Sequence, residues 1–172
     1  KLEADIIRFQ NDKEKWIAVV GLYEGRPYEI FSGKAASFVL PNSVEKGWVI
    51  RVKEEDNLPA RYDFQFLDND GYKVTIEGLS RMFKKEYWNY AKLISGILRH
   101  GMPITNVIEL ISKLTLDTDS INTWKNGIAR ALKKYVKDGT IVEGEKCPQC
   151  GGKIIYTSGC KQCSDCGWSK CG

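Results

Sequence analysis

Every cysteine in the chain falls in its final stretch, CPQCGGKIIYTSGCKQCSDCGWSKCG; residues 1–146 contain none and all six lie between Cys147 and Cys171. Cys147, Cys150 and Gly151 form one CxxCG knuckle, and Cys163, Cys166 and Gly167 form a second. Two residues between thiolates let both bind one tetrahedral ion, and the following Gly lets the backbone turn tightly beneath the sulfurs. KIIYT reads as a strand and SG as a turn leading back to the second knuckle. So short a segment cannot build a stable hydrophobic core, whereas a structural zinc contributes on the order of 10 kcal/mol or more. The spacing predicts a zinc ribbon over residues 147–172.

Four ligands from six cysteines leave two over, and two partitions fit. In the first, Cys147, Cys150, Cys163 and Cys166 hold the metal and the extra thiols are Cys160 and Cys171. Lys161 and Lys170 sit beside these, which favours the thiolate and its use in disulfide exchange. In the second, Cys147, Cys150, Cys160 and Cys163 take the metal and Cys166 with Cys171 form a CxxxxC pair. Gly follows Cys166 but not Cys163, which favours the first. A disulfide framework that staples a small secreted fold would spread its cysteines through the chain. The crowding here marks a separate module, with redox exchange as the sharper reading of the two spare thiols and inert or alternative ligands as the plainer one.

The rest of the chain must position that module. From Ala4 to Ile76, β-branched and aromatic residues dominate ADIIRFQ, WIAVVGLY, RPYEIF, GWVIRVK, YDFQFL and YKVTI, which read as six strands of an antiparallel sheet. Asp70 and Gly71 close a DNDG turn, and Tyr62, Phe64, Phe66 and Tyr72, Val74, Ile76 alternate as though one face of that hairpin were buried. The Pro and Gly between Gly33 and Gly47 mark a longer loop. The period then changes to helical. Tyr87, Tyr90, Ala91, Ile94, Ile97 and Leu98 share one stripe, Ile104, Val107, Ile108, Ile111 and Leu114 a second, and Ile121, Trp124, Ile128, Ala131, Leu132 and Tyr135 a third. Asp117 to Ser120 offer N-caps for the third helix. The expected fold class is α+β: an antiparallel sheet packed with about three helices over residues 1–137, a linker at 138–146, and the ribbon. DGTIVEGEK in the linker has no sustained period and two Gly. It reads equally as a flexible tether and as a fixed turn.

Composition narrows the classes. The 172 residues are 42% hydrophobic and 28% charged, which excludes collagen, a disordered tail and a coiled coil. No apolar run reaches the roughly 18 residues that span a bilayer, and no secretory leader opens the chain, so a cytoplasmic protein without a membrane partner is expected. A net charge of +4, with acids and bases interleaved, gives no argument for nucleic acid. Lys1 opens the chain directly before a strand, as expected of a fragment or processed segment.

The strings LEADIIRFQNDKEKWIAVVGLYEGRPYEIF, DGYKVTIEGLSR and KEYWNYAKLISGILRHGMPI, with the ending CGWSKCG, resemble the C-terminal region of ribonucleotide reductase large chains. The resemblance is to the adenosylcobalamin-dependent class II type, with a TSCPD-type domain followed by a cysteine-rich zinc tail. It implies a parent oxidoreductase that makes deoxyribonucleotides in a catalytic barrel by cysteine radical chemistry, in DNA synthesis. It also implies a C-terminal cysteine pair that re-reduces the barrel disulfide and is itself recharged by an external dithiol reductant. Carried onto this chain, the zinc ligands are Cys147, Cys150, Cys163 and Cys166, and the relay thiols are Cys160 and Cys171, or Cys166 and Cys171 under the second partition. Adenosylcobalamin is implied for the parent enzyme only. The chain has no radical cysteine in a barrel loop, no cobalamin site and no room for the barrel, so the piece alone is not expected to reduce a nucleotide.

Two other readings compete. The ribbon can present Lys153, Lys161, Lys170 and Trp168 to a nucleic-acid backbone, or serve as a structural module promoting assembly, which leaves oligomerisation open. His100 reads as a helix C-terminal residue, and Trp124, Tyr90 and Tyr135 as core rather than base-stacking groups. Arg81, Lys84 and Lys85 read as a solvated face, and FSGKAAS lacks the GxxxxGK spacing of a phosphate loop.

Overall fold

The computed structural model describes residues 1–55, 57 and 59–171; Gly172, the last residue of the predicted ribbon, lies outside them, as do Asp56 and Leu58 between two predicted strands. The first sheet contains β1 (Leu2–Asn11), β2 (Glu14–Tyr23), β3 (Arg26–Lys34), β4 (Lys46–Val52), β5 (Arg61–Leu67) and β6 (Lys73–Ile76), in the order β3-β2-β1-β4-β5-β6. Every pairing is antiparallel. The sheet curls, because Phe31 of β3 meets Tyr62 of β5 with ring centroids 5.2 Å apart although three strands separate them.

Four helices follow: α1 (Leu79–Met82), α2 (Lys85–Arg99), α3 (Ile104–Ser112) and α4 (Asp119–Lys133). The last begins where the capping residues predict, with the Thr118 hydroxyl accepting from the Ile121 amide. A chain of aromatic contacts joins sheet and helices: Phe9–Trp16 at 6.1 Å, Trp16–Tyr87 at 5.6 Å and Tyr87–Trp124 at 5.9 Å. Such pairs add about 0.5–1.5 kcal/mol each beyond the area they bury. Trp124 is wholly buried, and its indole N–H donates to the Ser32 carbonyl at 3.2 Å. Gly127, facing the same sheet from α4, lies against the Phe9 ring so closely that a Cβ there would overlap it.

The expected burial of the β5–β6 hairpin holds for only one strand. Phe64 and Phe66 are buried, but Tyr72 is 72% exposed and Val74 37%, although Val74 stands opposite Phe66. β6 is the edge of the sheet, and alternation marks two faces without saying whether anything covers them.

The second sheet contains β7 (Ile141–Lys146), β8 (Lys153–Thr157), β9 (Cys160–Cys163) and β10 (Ser169–Lys170), in the order β10-β9-β8-β7. Residues 141–146, placed in a linker from the sequence, form β7 and pair with β8. Residues 138–140 are also tied down: the Gly139 amide donates to the Tyr156 carbonyl at 2.7 Å, and the Tyr156 amide to the Thr140 carbonyl at 2.8 Å. Asp138 Oδ1 accepts from the Ser158 amide at 2.7 Å. This stretch is a hydrogen-bonded turn and strand, and Val136, three residues beyond α4, packs against both the main core and the ribbon core of Val142, Ile154 and Tyr156. No helix among the described residues is long and apolar enough to cross a membrane.

Candidate metal centre and thiol pair

The two knuckles have the same local structure because they have the same sequence grammar. The Cys147 amide donates to the Gly152 carbonyl at 2.9 Å, and the Cys163 amide to the Trp168 carbonyl at 2.7 Å, five residues along in each case. Gly151 and Gly167 both take positive φ, 73° and 78°, which a side chain would oppose. Within each knuckle the backbone donates to sulfur: the Gln149 amide to Cys147 Sγ, the Gly152 amide to Cys150 Sγ and the Asp165 amide to Cys163 Sγ, each at 3.4 Å.

Folding β8 back onto β9 brings the knuckles together. The Sγ atoms of Cys147 and Cys166 are 3.6 Å apart, those of Cys150 and Cys163 3.5 Å, and all four lie within 4.8 Å of one another. Zinc–sulfur bonds of about 2.3 Å in a regular tetrahedron place the sulfurs about 3.8 Å apart. The donor set therefore fits a closed tetrahedral ion that prefers thiolates. Among the described residues this is the one group of three or more His, Cys, Asp or Glu side chains close enough to share an ion.

The thiols are electrostatically unequal. Burial opposes ionisation of Cys147, but the amides of Cys150 and Gln149 and the facing thiols outweigh it and bring its pKa down to about 7. At Cys150 the Gly152 amide favours the thiolate, yet the thiols of Cys163 and Cys166 compete with it and push the pKa up to about 12. Cys166 is also raised: the Trp168 amide favours its thiolate, but burial and Cys147 together outweigh that contact. One thiolate among four facing thiols suppresses ionisation of the others, a conflict that a divalent cation removes.

Cys160 and Cys171 stand apart from this cluster and are joined to each other in a disulfide, with Cα atoms 4.4 Å apart. The pairing follows from strand register. Lys170 of β10 stands opposite Lys161 of β9, so the residues just beyond them, Cys171 and Cys160, also face each other. Cys166 lies with the thiols of Cys147, Cys150 and Cys163 rather than with Cys171. Cys171 is exposed and Cys160 half-buried.

Other singled-out residues have structural surroundings. The His100 amide closes α2 by donating to the Gly96 carbonyl at 3.2 Å. Trp124 is core, and Tyr90 and Tyr135 are partly buried against it. Lys34 pairs with Glu14 at 2.8 Å, and Arg81, Lys84 and Lys85 are exposed. Arg130 and Lys133 on α4 were not singled out in the sequence; they line a cleft with Lys161 and Lys170 of the ribbon. Their spacing of one helical turn was the available signal, but on a helix surface it reads as an ordinary solvated face.

A family model described as NrdJ homologue C-terminal domain matches residues 2–137. No curated protein and no solved structure matches the chain. The matched span comprises the curled sheet and its four helices and stops where the cysteine-bearing sheet is about to begin. NrdJ is the adenosylcobalamin-dependent class II ribonucleotide reductase, and this chain belongs to the family of NrdJ homologue C-terminal domains.

Proposed function

We propose that residues 1–137 dock on the catalytic barrel of a parent ribonucleotide reductase and that the ribbon, residues 147–172, is a thiol relay re-reducing the active-site disulfide of that barrel. The observation that carries this reading is the Cys160–Cys171 disulfide, set outside a complete four-thiol cluster with Cys171 exposed. A structural metal site needs four of the six cysteines, and the remaining two are paired, partly accessible and each adjacent to a lysine.

In the reduced state, the Cys171 thiolate attacks one sulfur of the barrel disulfide. A mixed disulfide forms and one barrel thiolate leaves. The Cys160 thiolate then attacks Cys171 Sγ, closing the Cys160–Cys171 bond and releasing the second barrel thiolate. Two electrons pass to the barrel, and two protons from solvent complete its thiols. An external dithiol reductant reverses the oxidation of the pair. Lys161 and Lys170, next in sequence to the two cysteines, favour the thiolate forms. Zinc, when bound to Cys147, Cys150, Cys163 and Cys166, supplies the rigidity that sets β9 beside β10 and keeps those four sulfurs out of exchange.

In the parent enzyme, Cys160→Ser and Cys171→Ser should each leave a single turnover of pre-reduced enzyme intact and stop multiple turnovers driven by a dithiol protein. Unchanged steady-state turnover in both variants would sink the relay assignment.

A further inference from the structure

A cleft of about 460 Å³ opens between α4 and the β9–β10 pair, and among the described residues its charged lining is wholly basic. Arg130 and Lys133 enter it from successive turns of α4, and Lys161 and Lys170 from directly opposed positions on β9 and β10. Asn11 and Asn126 add neutral amide groups, and among the described residues no carboxylate lines the cleft. Lys161 also reaches Glu145 at 2.6 Å, but that acid stands outside the lining and neutralises only one of the four cations.

Convergent cations without a counterion repel one another, and the repulsion grows as they leave water. Lys133 registers both effects: burial, and then the charges of Lys161, Lys170 and Arg130, hold its pKa below the ordinary lysine value, with Glu145 opposing. A ligand bearing several negative charges would turn this repulsion into attraction. Arg offers a planar fork and Lys a point charge, the pairing that phosphate oxygens accept well. The volume lies in the range of small-molecule sites, roughly 300–1,000 Å³.

We propose that this cleft binds a small ligand carrying two or more phosphate groups and bridges the ribbon to α4. Its two sources are a nucleotide and a bare oligophosphate, which share the charged group and differ in the nucleoside. The site shares Lys161 and Lys170 with the thiol pair, but it requires only that β10 lie beside β9, not that the pair exchange electrons.

Isothermal titration of the full 172-residue chain with pyrophosphate, with ATP and with a single-stranded DNA oligonucleotide at low salt tests this. One saturable site is expected for pyrophosphate or ATP, weakened roughly tenfold or more in Lys133→Met and in Lys170→Ala, as befits loss of one charge-assisted contact. Lys153→Ala, outside the cleft, should bind as the parent does. Because Lys170 is exposed, its variant tests the site even if Lys133→Met disturbs packing. ATP tighter than pyrophosphate identifies a nucleotide ligand, and equal affinity an oligophosphate. No binding of either probe, equal binding by both cleft variants, or tighter binding of the oligonucleotide would overturn the proposal.

Discussion

Cys160 at the start of β9 is bonded to Cys171, one residue beyond β10, and neither sulfur belongs to the cluster formed by Cys147, Cys150, Cys163 and Cys166. The two strands are held by only two register pairs, Ser169 with Gln162 and Lys170 with Lys161. So short a ladder gives little stability of its own, which makes β10 depend on the covalent link and on the neighbouring knuckle. The knuckle supplies the second support through the bond from the Cys163 amide to the Trp168 carbonyl, immediately before β10.

With a metal held by the four clustered cysteines, as proposed, its chelation should unfold the ribbon and spare the larger unit. Among the described residues the buried ribbon core is Val142, Cys147, Ile154, Tyr156 and Cys163, with Val136 and Trp168 partly buried against it, whereas the other core spans β1 to α4. Removing an ion worth on the order of 10 kcal/mol leaves such a core unable to hold itself. Limited proteolysis with and without a strong chelator is the check: cleavage within residues 141–171 should appear while 2–137 stays resistant.

Gly127→Ala should destabilise the sheet–helix unit. The new Cβ would overlap the Phe9 ring, and α4 cannot shift without disturbing Trp124 and Ile128, both wholly buried. Overpacking of this kind costs about 1–3 kcal/mol, a Tm loss of roughly 2–4 °C per kcal/mol at this chain length. Circular dichroism melts measure it, and a Tm equal to that of the parent would refute the close approach of α4 to β1.

Glu29→Gln should gain on the parent as pH rises. Glu29 is 5% exposed, and burial raises its pKa despite Arg99 at 3.4 Å and the Tyr62 hydroxyl. A carboxyl that binds its proton more tightly when folded supports the fold below its unfolded pKa and loses that contribution as pH rises toward the raised value. Glutamine has no such dependence. Urea unfolding of both proteins at about pH 3 and about pH 8, either side of the ordinary carboxylate range, should show the variant's relative stability higher at the upper pH. A flat or opposite trend would contradict burial as the dominant cause.

The six strands and three long helices were legible because each carries enough apolar residues for its period to show. α1, at four residues, and the turn of helix at Ala35–Ser37 are too short to have a period. β7 was illegible for a different reason: IVEGEK carries Glu143, Gly144 and Glu145, residue types depleted in strands, and it becomes one because β8 offers it an edge. The exposure of Tyr72 depends on what lies over β6, which no local pattern encodes. The knuckles could be read from spacing alone, whereas the grouping of the cysteines depends on the register of β9 against β10, a tertiary fact. Glu29, Ser95 and the cleft cations become distinctive only when separate elements meet. The Ser95 hydroxyl, for example, accepts from the Ile30 amide across the α2–β3 interface.

In the proposed function, four cysteines hold a metal and two are free to exchange. Metal analysis of the protein after mild reduction, combined with timed alkylation and mass mapping of the modified cysteines, tests it directly. One zinc per chain is expected, with rapid modification at Cys160 and Cys171 and protection at Cys147, Cys150, Cys163 and Cys166 until the metal is removed. Rapid modification at Cys166 together with protection at Cys160, or full modification of all six cysteines without prior chelation, would contradict it.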